Sequence, residues 1–516
     1  MPAPWHFGLL GGIAKRTERA PAAQLADRGR LFVGGIAASG ETLHCGCIGS
    51  GSSHAAARYA APENMGCIQT RTDRRPGLAE TRPPVQALPL HQAVAVGAGN
   101  ALEFYDFLTF SFFAVQIGNT FFPGDATGHG LLYTLATFGI GFITRPLGGW
   151  LIGRYGDRAG RRPAMVLSFA MMGLAMLGLA LTPGYAQIGI AAPLLLLIFR
   201  LLQGFALGGE VGPATAFLVE AAPPHRRGLY VSIQYVTQDV AILMAGAVGF
   251  ALSQLLPPAD LDNWGWRVAF LLGVGVVPVG LWLRRRLPET MHAVAERSTT
   301  RARAPWRFLF VALVLLAMSA ICDYVLVYIT TYAQDSLKLG TGAAFGATIV
   351  LGSAEACADL TTGILADRYG RRPVMLTGLM LLTLLTIPIF AAMNAAPTAW
   401  VTFIGTAVLG ILYPVASGPM LISIAESLPM AVRSASLAAL YAIAMTFFGG
   451  STQFVIKLLV DTTGSPLAPA VYMTAALLTG LAASRWLPES APAKTSVAAV
   501  CDGGESAVDA RIIERA

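Results

Sequence analysis

The sequence contains few charged residues. Asp, Glu, Lys and Arg make up only 13% of its 516 residues, against roughly 25% in average globular proteins, and 54% of the chain is hydrophobic. A soluble protein of this composition would have an apolar surface as well as an apolar core. The composition therefore excludes a soluble enzyme, a nucleic-acid-binding protein and a disordered scaffold, and it indicates a membrane protein with several spans.

Motifs for binding metals and nucleotides are also missing. The spacing of the six cysteines matches neither a disulfide framework nor a metal site. No glycine-rich phosphate-binding loop is present, so we expect no nucleotide partner. No histidine lies deep in an apolar stretch, which argues against a histidine proton relay. We therefore expect no metal, no other cofactor and no nucleic acid.

Residues 1–90 differ from the rest, because Arg, Ala, Gly, Ser and Pro are mixed there without sustained periodicity. We interpret them as a disordered tail or, alternatively, as an extension upstream of a translation start at Met65. No signal peptide is evident, since the apolar stretch 31–40 is too short and lies too far into the chain.

Twelve apolar stretches follow, each long enough to cross ~30 Å of hydrocarbon. They lie near residues 92–118, 130–153, 164–182, 190–220, 228–256, 266–283, 307–333, 341–365, 374–393, 397–425, 433–460 and 465–487. Arginines are concentrated in alternate loops, which places those loops and both termini in the cytoplasm. The sequence thus predicts an all-α polytopic membrane protein with twelve transmembrane helices in a lipid bilayer. A central cytoplasmic loop, 284–306, separates six-helix bundles over 91–283 and 307–487, and residues 488–516 form a cytoplasmic tail.

The two halves carry the same motifs in the same order. Residues 157–163 (DRAGRRP) recur as residues 367–373 (DRYGRRP), each copy after the second span of its half. Residues 212–220 are similarly echoed by residues 418–426, and both segments begin with Gly-Pro and end in Glu. Two echoes six spans apart indicate a duplicated unit, and because six is even, the repeats are parallel about an axis along the membrane normal.

These motifs resemble those of a known family. Residues 153–162 (GRYGDRAGRR) are similar to the loop between helices 2 and 3 of the major facilitator superfamily, and the resemblance covers residues 92–490. Four further segments resemble the metabolite–proton symporters of that superfamily, which carry citrate, 2-oxoglutarate, shikimate and proline or betaine. They are 99–107 (GNALEFYDF), 145–149 (RPLGG), 200–210 (RLLQGFALGGE) and 264–267 (WGWR). The resemblance implies rocker-switch transport coupled to protons.

Two carboxyl groups of the first span are predicted to carry the transported proton. A charged side chain at the centre of a membrane helix costs ~2.5–3.5 kcal/mol, so each one requires an explanation. Glu103 and Asp106 are three residues apart and share one helix face. Glu103 lies near the membrane midplane, where transporters bind their substrates. The alternative interpretation is a fixed hydrogen-bonded or salt-bridged pair.

The first half also holds two cations within its spans. Arg145 and Arg200 can each bind a carboxylate through two parallel hydrogen bonds. They are predicted to bind an organic anion or to keep Glu103 or Asp106 ionised. Gln203 shares a helix face with Arg200 and is predicted to join the same site. A gating contact is an equally good interpretation of Arg145, because it lies towards the cytoplasmic end.

Other polar residues within the spans are weaker candidates. Those predicted to contact substrate are Asp239, Tyr324, Tyr328 and Lys457. Asp323, Glu355 and Asp359 are weaker candidates of the same kind, with no specific role predicted. Hydrogen bonds between helices are the alternative explanation. Lys457 can instead neutralise a carboxylate or extend to the outer surface.

Acidic residues outnumber basic ones within the spans, by seven to three. If all were ionised, the interior would repel anions, so some must be protonated or paired. This pattern suits a proton symporter, and it also fits a zwitterionic substrate.

The two repeated loops are predicted to form a cytoplasmic latch that closes in the outward-open state. Their carboxylates and arginines would pair with helix ends and with the glutamates that end the fourth spans. The predicted gating residues are Asp157, Arg158, Arg161, Arg162, Glu220, Asp367, Arg368, Arg371, Arg372 and Glu426.

Taken together, these features predict a symporter of the bacterial inner membrane and not an enzyme. Inward-moving protons would drive uptake of a small organic acid, a di- or tricarboxylate such as citrate. Three alternatives remain: a proline- or betaine-type zwitterion symporter, a drug-efflux antiporter, and a nutrient sensor that no longer transports.

Overall fold

The described part of the chain is built from helices and contains no strand. The computed structural model describes residues 101, 104–123, 129–159, 161–208, 218, 222–286, 305–429 and 432–491. The predicted tail 1–90 with Met65, most of the central loop and the end of the chain therefore lie outside the described residues. Within the described residues, seven helices are long and apolar enough to cross a membrane by length and composition.

The described helices of the first half coincide with the first six predicted spans. They are α1 (104–112 and Ala114–Phe121), α2 (Gly130–Ile140 and Arg145–Ala159, joined by a 3-10 turn at Gly141–Thr144), α3 (Arg161–Leu181), α4 (Ala191–Leu207), α5 (Arg227–Leu255) and α6 (Trp266–Arg286).

The described helices of the second half coincide with the other six spans. They are α7 (Trp306–Val327 and Ile329–Asp335), α8 (Thr341–Tyr369), α9 (Arg371–Ala395), α10 (Ala399–Ser427), α11 (Arg433–Ala444 and Gly450–Thr463, joined by a π-helical turn at Met445–Gly449) and α12 (Ala468–Ala483).

A single residue joins α8 to α9. Gly370 has φ +103°, a backbone conformation that residues with a side chain rarely adopt. The glycine of the repeated motif is therefore the residue that lets the chain turn sharply between two long helices. This turn holds Asp367 and Arg371 on neighbouring helix ends.

Small residues allow the helices to approach closely. In α4, Gly204 and Gly208 lie against the α2 backbone at Gly141 and Arg145, so that neither position has room for a side chain. Close packing of this kind is typical of membrane helices, which gain no hydrophobic drive from lipid. The contact fixes α2 beside α4 and brings Arg145 near Arg200.

The two halves meet mainly where α5 packs along α8. A Cβ atom added to Gly352 of α8 would lie 2.6 Å from the backbone nitrogen of Leu243 and 2.7 Å from the carbonyl oxygen of Asp239. Nearer the other end of α5, Gly249 lies against the ring of Phe345. Close packing of α5 on α8 brings side chains of both halves into one internal cavity.

Candidate functional site

Two buried arginines lie against the same aromatic ring of α1. The guanidinium carbon of Arg145 is 4.3 Å from the ring centre of Phe107 and 3.9 Å from that of Phe142. The guanidinium carbon of Arg200 is 4.6 Å from the centre of Phe107 and 4.2 Å from that of Phe110. Aromatic faces attract cations and so partly replace the water that each arginine has lost.

Gln203 links Arg200 to Asp106. The Arg200 Nη1 donates to Gln203 Oε1 at 2.6 Å, and Gln203 Nε2 donates to Asp106 Oδ1 at 2.9 Å. All three side chains are buried, with 0 to 1% of their surface exposed. The structure thus brings together three of the residues that the sequence predicts for substrate and proton binding.

The same cluster retains unused hydrogen-bonding capacity. Nε and Nη2 of both Arg145 and Arg200 are buried without a hydrogen-bond partner, and so is Oδ2 of Asp106. Tyr324 of α7 packs its ring against Phe142 and lies beside the guanidinium of Arg145. Buried charged donors without acceptors are costly, so this cluster is suited to an incoming anion.

A cavity of about 40 Å³ lies between the halves and is strongly acidic. Its carboxyl groups come from three helices: Asp239 of α5, Asp323 of α7, and Glu355 and Asp359 of α8. Three tyrosines also line it, Tyr235, Tyr413 and Tyr441. None of the described residues lining this cavity is basic. The predicted substrate ligand Asp239 therefore lies among other carboxyl groups.

The candidates Tyr328 and Lys457 lie elsewhere. Lys457 Nζ is 2.7 Å from Asp335 Oδ2 and 2.9 Å from Asp461 Oδ1, so the lysine is neutralised by two carboxylates. Tyr328 is buried near Tyr332, and its hydroxyl has no hydrogen-bond partner. Neither residue lines the acidic cavity. For Lys457, the structure matches the interpretation in which it neutralises carboxylates.

Asp367 of the second repeated motif contacts the other half of the protein. Its Oδ1 and Oδ2 accept hydrogen bonds from the backbone nitrogens of Gly228 (2.9 Å) and Leu229 (3.1 Å). These nitrogens belong to the first turn of α5, where a helix leaves its donors unpaired and attracts negative charge. Arg371 pairs with the same carboxylate, with Nη1 2.7 Å from Oδ1.

Glu426 joins this group of charges. Its Oε2 is 3.5 Å from Arg371 Nε, and its Oε1 is 3.6 Å from Arg227 Nη1 on the other half. Ser490, after α12, donates to Glu426 Oε2 at 2.6 Å. We refer to Arg227, Asp367, Arg371 and Glu426 as the latch cluster.

The remaining gating candidates do not belong to the latch cluster or lie outside the residues that the structure describes. Arg158 and Arg368 are exposed, and Arg372 donates to the carbonyl oxygen of Arg485 at 3.4 Å. Glu103 and Glu220 lie outside the described residues, as do the side chains of Asp157, Arg161 and Arg162. The roles predicted for these five residues stay predictions.

Asp323, Glu355 and Asp359 are only weaker candidates from the sequence, which does not predict that they meet in one cavity. One signal was available, since Glu355 and Asp359 are four residues apart and share a face of α8. Their convergence with Asp239 depends on the packing of α5 against α8. Periodicity within a single helix carries no information about this contact between the halves.

Comparisons with known proteins agree with this architecture. A family model described as Major Facilitator Superfamily matches residues 98–358, and one described as Sugar (and other) transporter matches residues 283–495. Compared with this chain, the crystal structure of a D-xylose-proton symporter gives a TM-score of 0.64 at 19% sequence identity. The match covers 78% of this chain and 98% of that chain. The fold is therefore shared, and the predicted fold class is confirmed.

Several bacterial transporters are similar in sequence. The chain is 34% identical to the citrate-proton symporter of Klebsiella pneumoniae, over 79% of this chain and 95% of that protein. It is 36% identical to the alpha-ketoglutarate permease of Escherichia coli (strain K12), over 70% of this chain and 85% of that protein. It is also 29% identical to the proline/betaine transporter of the same organism, over 79% of this chain and 85% of that protein.

Proposed function

Because this chain belongs to the major facilitator superfamily and is a membrane transporter rather than an enzyme, we propose that it is a proton-coupled symporter. Its substrate is a small organic acid, a di- or tricarboxylate. The bundles 91–283 and 307–487 rock about the site between them. The protein resides in the bacterial inner membrane, with both termini in the cytoplasm, because arginines are concentrated in alternate loops.

One observation carries the choice of an organic acid. Arg145 and Arg200 are buried side by side with four guanidinium nitrogens that lack acceptors. A carboxylate accepts paired hydrogen bonds from arginine and neutralises its charge. An acid with two or three carboxylates can engage both arginines at once, and citrate and alpha-ketoglutarate, for which two similar proteins are named, are acids of this kind.

Asp106 is the described carboxyl group best placed to couple the proton to this site. It is buried and receives a hydrogen bond from Gln203, which binds Arg200. When Asp106 is ionised it attracts Arg200, and when it is protonated it leaves the guanidinium to an incoming anion. Glu103 is the second proposed proton carrier, on the evidence of its position in the sequence.

A zwitterionic substrate is the second candidate, and a specific observation favours it. The cavity between the halves is lined by four carboxyl groups and three tyrosines. Such a lining is suited to a cationic group, through charge and through the aromatic faces. A molecule with one carboxylate and one ammonium group would place its two ends in the two regions.

Uptake into proteoliposomes tests the proposal. Radiolabelled citrate, 2-oxoglutarate, shikimate and betaine are each supplied with an imposed inward proton gradient. We expect organic-acid uptake that a protonophore abolishes. Asp106→Asn and Glu103→Gln should each lose gradient-driven uptake while retaining exchange of substrate at equal pH, because exchange requires no net proton movement.

The matched control is Asp461→Asn, whose carboxylate pairs with Lys457 away from the cavity. This variant should keep gradient-driven uptake. Uptake of betaine alone would select the zwitterion candidate. Uptake of none of the four compounds by folded protein would contradict symport and favour efflux or sensing.

A further inference from the structure

The acidic cavity contains carboxyl oxygens that the proposed coupling through Asp106 does not use. Asp239 and Glu355 line the cavity and are 6% and 2% exposed. Asp239 Oδ2 and Glu355 Oε1 are buried without a hydrogen-bond partner. An unpaired oxygen in the interior loses its water without compensation, so these groups are placed to take up a ligand that donates hydrogen bonds or carries positive charge.

Asp239 and Asp359 line the same cavity from the two halves, and their carboxyl groups lie within reach of each other. Two ionised carboxylates are acceptors only, so a hydrogen bond between them requires a proton on one of them. Resting on the proposed symport, we propose that Asp239 and Asp359 share a transported proton of their own, separate from those carried by Asp106 and Glu103. The pair then holds one proton and one negative charge when loaded.

The surroundings of the pair favour retention of that proton. The ionisable groups that face it are Tyr235 of α5, Asp323 of α7, Glu355 of α8, Tyr413 of α10 and Tyr441 of α11, and α1 contributes the apolar Phe104 and Leu108. None of these groups is a cation that would stabilise a second ionised carboxylate. Loss of the proton would therefore leave two negative charges in contact within a water-poor cavity.

The position of the pair links the proton to the transport cycle. Asp239 belongs to α5 of the first half and Asp359 to α8 of the second, two helices that pack closely against each other. Rocking of the halves would separate the two carboxyl groups and expose each to water. The O–H bond then breaks towards water on one side, and a new proton binds a carboxylate oxygen from the other side. The cavity of about 40 Å³ has room for about three waters that can relay it.

The number of protons moved with each substrate molecule is the first test. It is measured in proteoliposomes that hold a fixed substrate gradient. At each of a series of pH gradients, we find the membrane potential at which net substrate flux is zero, and these potentials give the proton number. We expect Asp239→Asn and Asp359→Asn each to lower the proton number by one, because the amide replaces the shared proton in the contact. Asp461→Asn serves as the control and should leave the number unchanged.

Infrared spectroscopy of the purified full-length protein is the second test, and it requires no substrate. A protonated carboxyl group absorbs separately from a carboxylate. We expect a protonated-carboxyl band at neutral pH that persists in Asp106→Asn and in Asp461→Asn. In Asp239→Asn and in Asp359→Asn, the intensity of this band should fall by the contribution of one carboxyl group. An unchanged band in both pair variants, or an unchanged proton number, would overturn the shared proton. Failure of all uptake would overturn the proposed symport alone, because the infrared result still decides whether the pair holds a proton.

Discussion

Gln203 is the residue through which Arg200 reaches Asp106, so its loss should affect both charges. Gln203→Ala removes the acceptor of Arg200 Nη1 and the donor to Asp106 Oδ1. A buried polar group left without its partner costs about 1–3 kcal/mol, and more when it is charged. We expect gradient-driven uptake to fall by about tenfold or more, since a tenfold change corresponds to about 1.4 kcal/mol. Initial uptake rates in proteoliposomes measure this.

The matched control for this change is Gln254→Ala. Gln254 lies on the exposed part of α5, away from the arginines. Its substitution should leave the uptake rate unchanged. Equal rates for the two variants would show that Gln203 does not couple Arg200 to Asp106.

Which residues need a buried partner could be predicted in part, because a charge within an apolar span is costly. Arg200 and Asp106 are selected on this ground, and Gln203 because it shares a helix face with Arg200. The structure places the three in one hydrogen-bonded series. The same reasoning predicts that Tyr328 and Lys457 contact substrate, which stays a prediction, and the structure places neither of them in the lining of the acidic cavity. Insertion cost identifies residues that need a partner, but it does not identify the partner.

The contact between α5 and α8 is the element on which the acidic cavity depends. At Gly352 the backbone of α8 lies against Asp239 and Leu243 of α5. Gly352→Ala would place a methyl group against backbone atoms that cannot rotate away, and overpacking of this kind typically costs 1–3 kcal/mol. We expect a lower midpoint of thermal unfolding in detergent and a loss of uptake.

Gly275 of α6 provides the control at this scale. It is also within a helix, but nothing lies within 4 Å of a Cβ added there. Gly275→Ala should leave the midpoint unchanged or raise it, because alanine favours the helix by about 0.5–1 kcal/mol. If Gly352→Ala behaved in the same way, the close approach of α5 and α8 would not limit stability.

The elements themselves were largely predictable, in contrast to their pairing. A membrane helix requires about 20 apolar residues, and this rule alone gave spans that the described helices match. The interruptions were not predicted: the 3-10 turn at Gly141–Thr144 lies against the backbone of Arg200, and the π-helical turn at Met445–Gly449 lies against Tyr324. The pairing of α5 with α8 joins residues of different halves, and no local pattern encodes it.

At the scale of the whole molecule, the latch cluster joins the halves at the end that carries the repeated motifs. Asp367 binds the first turn of α5 through both carboxylate oxygens and also pairs with Arg371. Asp367→Asn keeps one acceptor oxygen and removes the charge, so it weakens both interactions. A loss of about 1–3 kcal/mol would shift the balance between the states closed and open at this end by about 5- to 150-fold.

Accessibility of the central cavity measures this shift. A cysteine replaces Ser417, which lines the cavity, in a chain whose six native cysteines are all replaced by alanine. A membrane-impermeant maleimide is applied from the side of the membrane that carries the repeated motifs. It should then label the Asp367→Asn variant faster than the same chain with Asp367 intact. Arg368→Gln is the control within the same motif, because Arg368 is exposed and belongs to no latch contact.

Asp157→Asn applies the same test to the first copy of the motif. The duplication predicts that Asp157 holds the corresponding end of α11, so its variant should also increase labelling from the motif side. If both copies act, the double variant should be labelled faster than either single one, because the two contacts close the same end independently. Equal labelling of Asp367→Asn and the control at unchanged uptake would exclude the latch. Faster labelling with slower uptake would mean that closure at the motif end is a step the transport cycle requires.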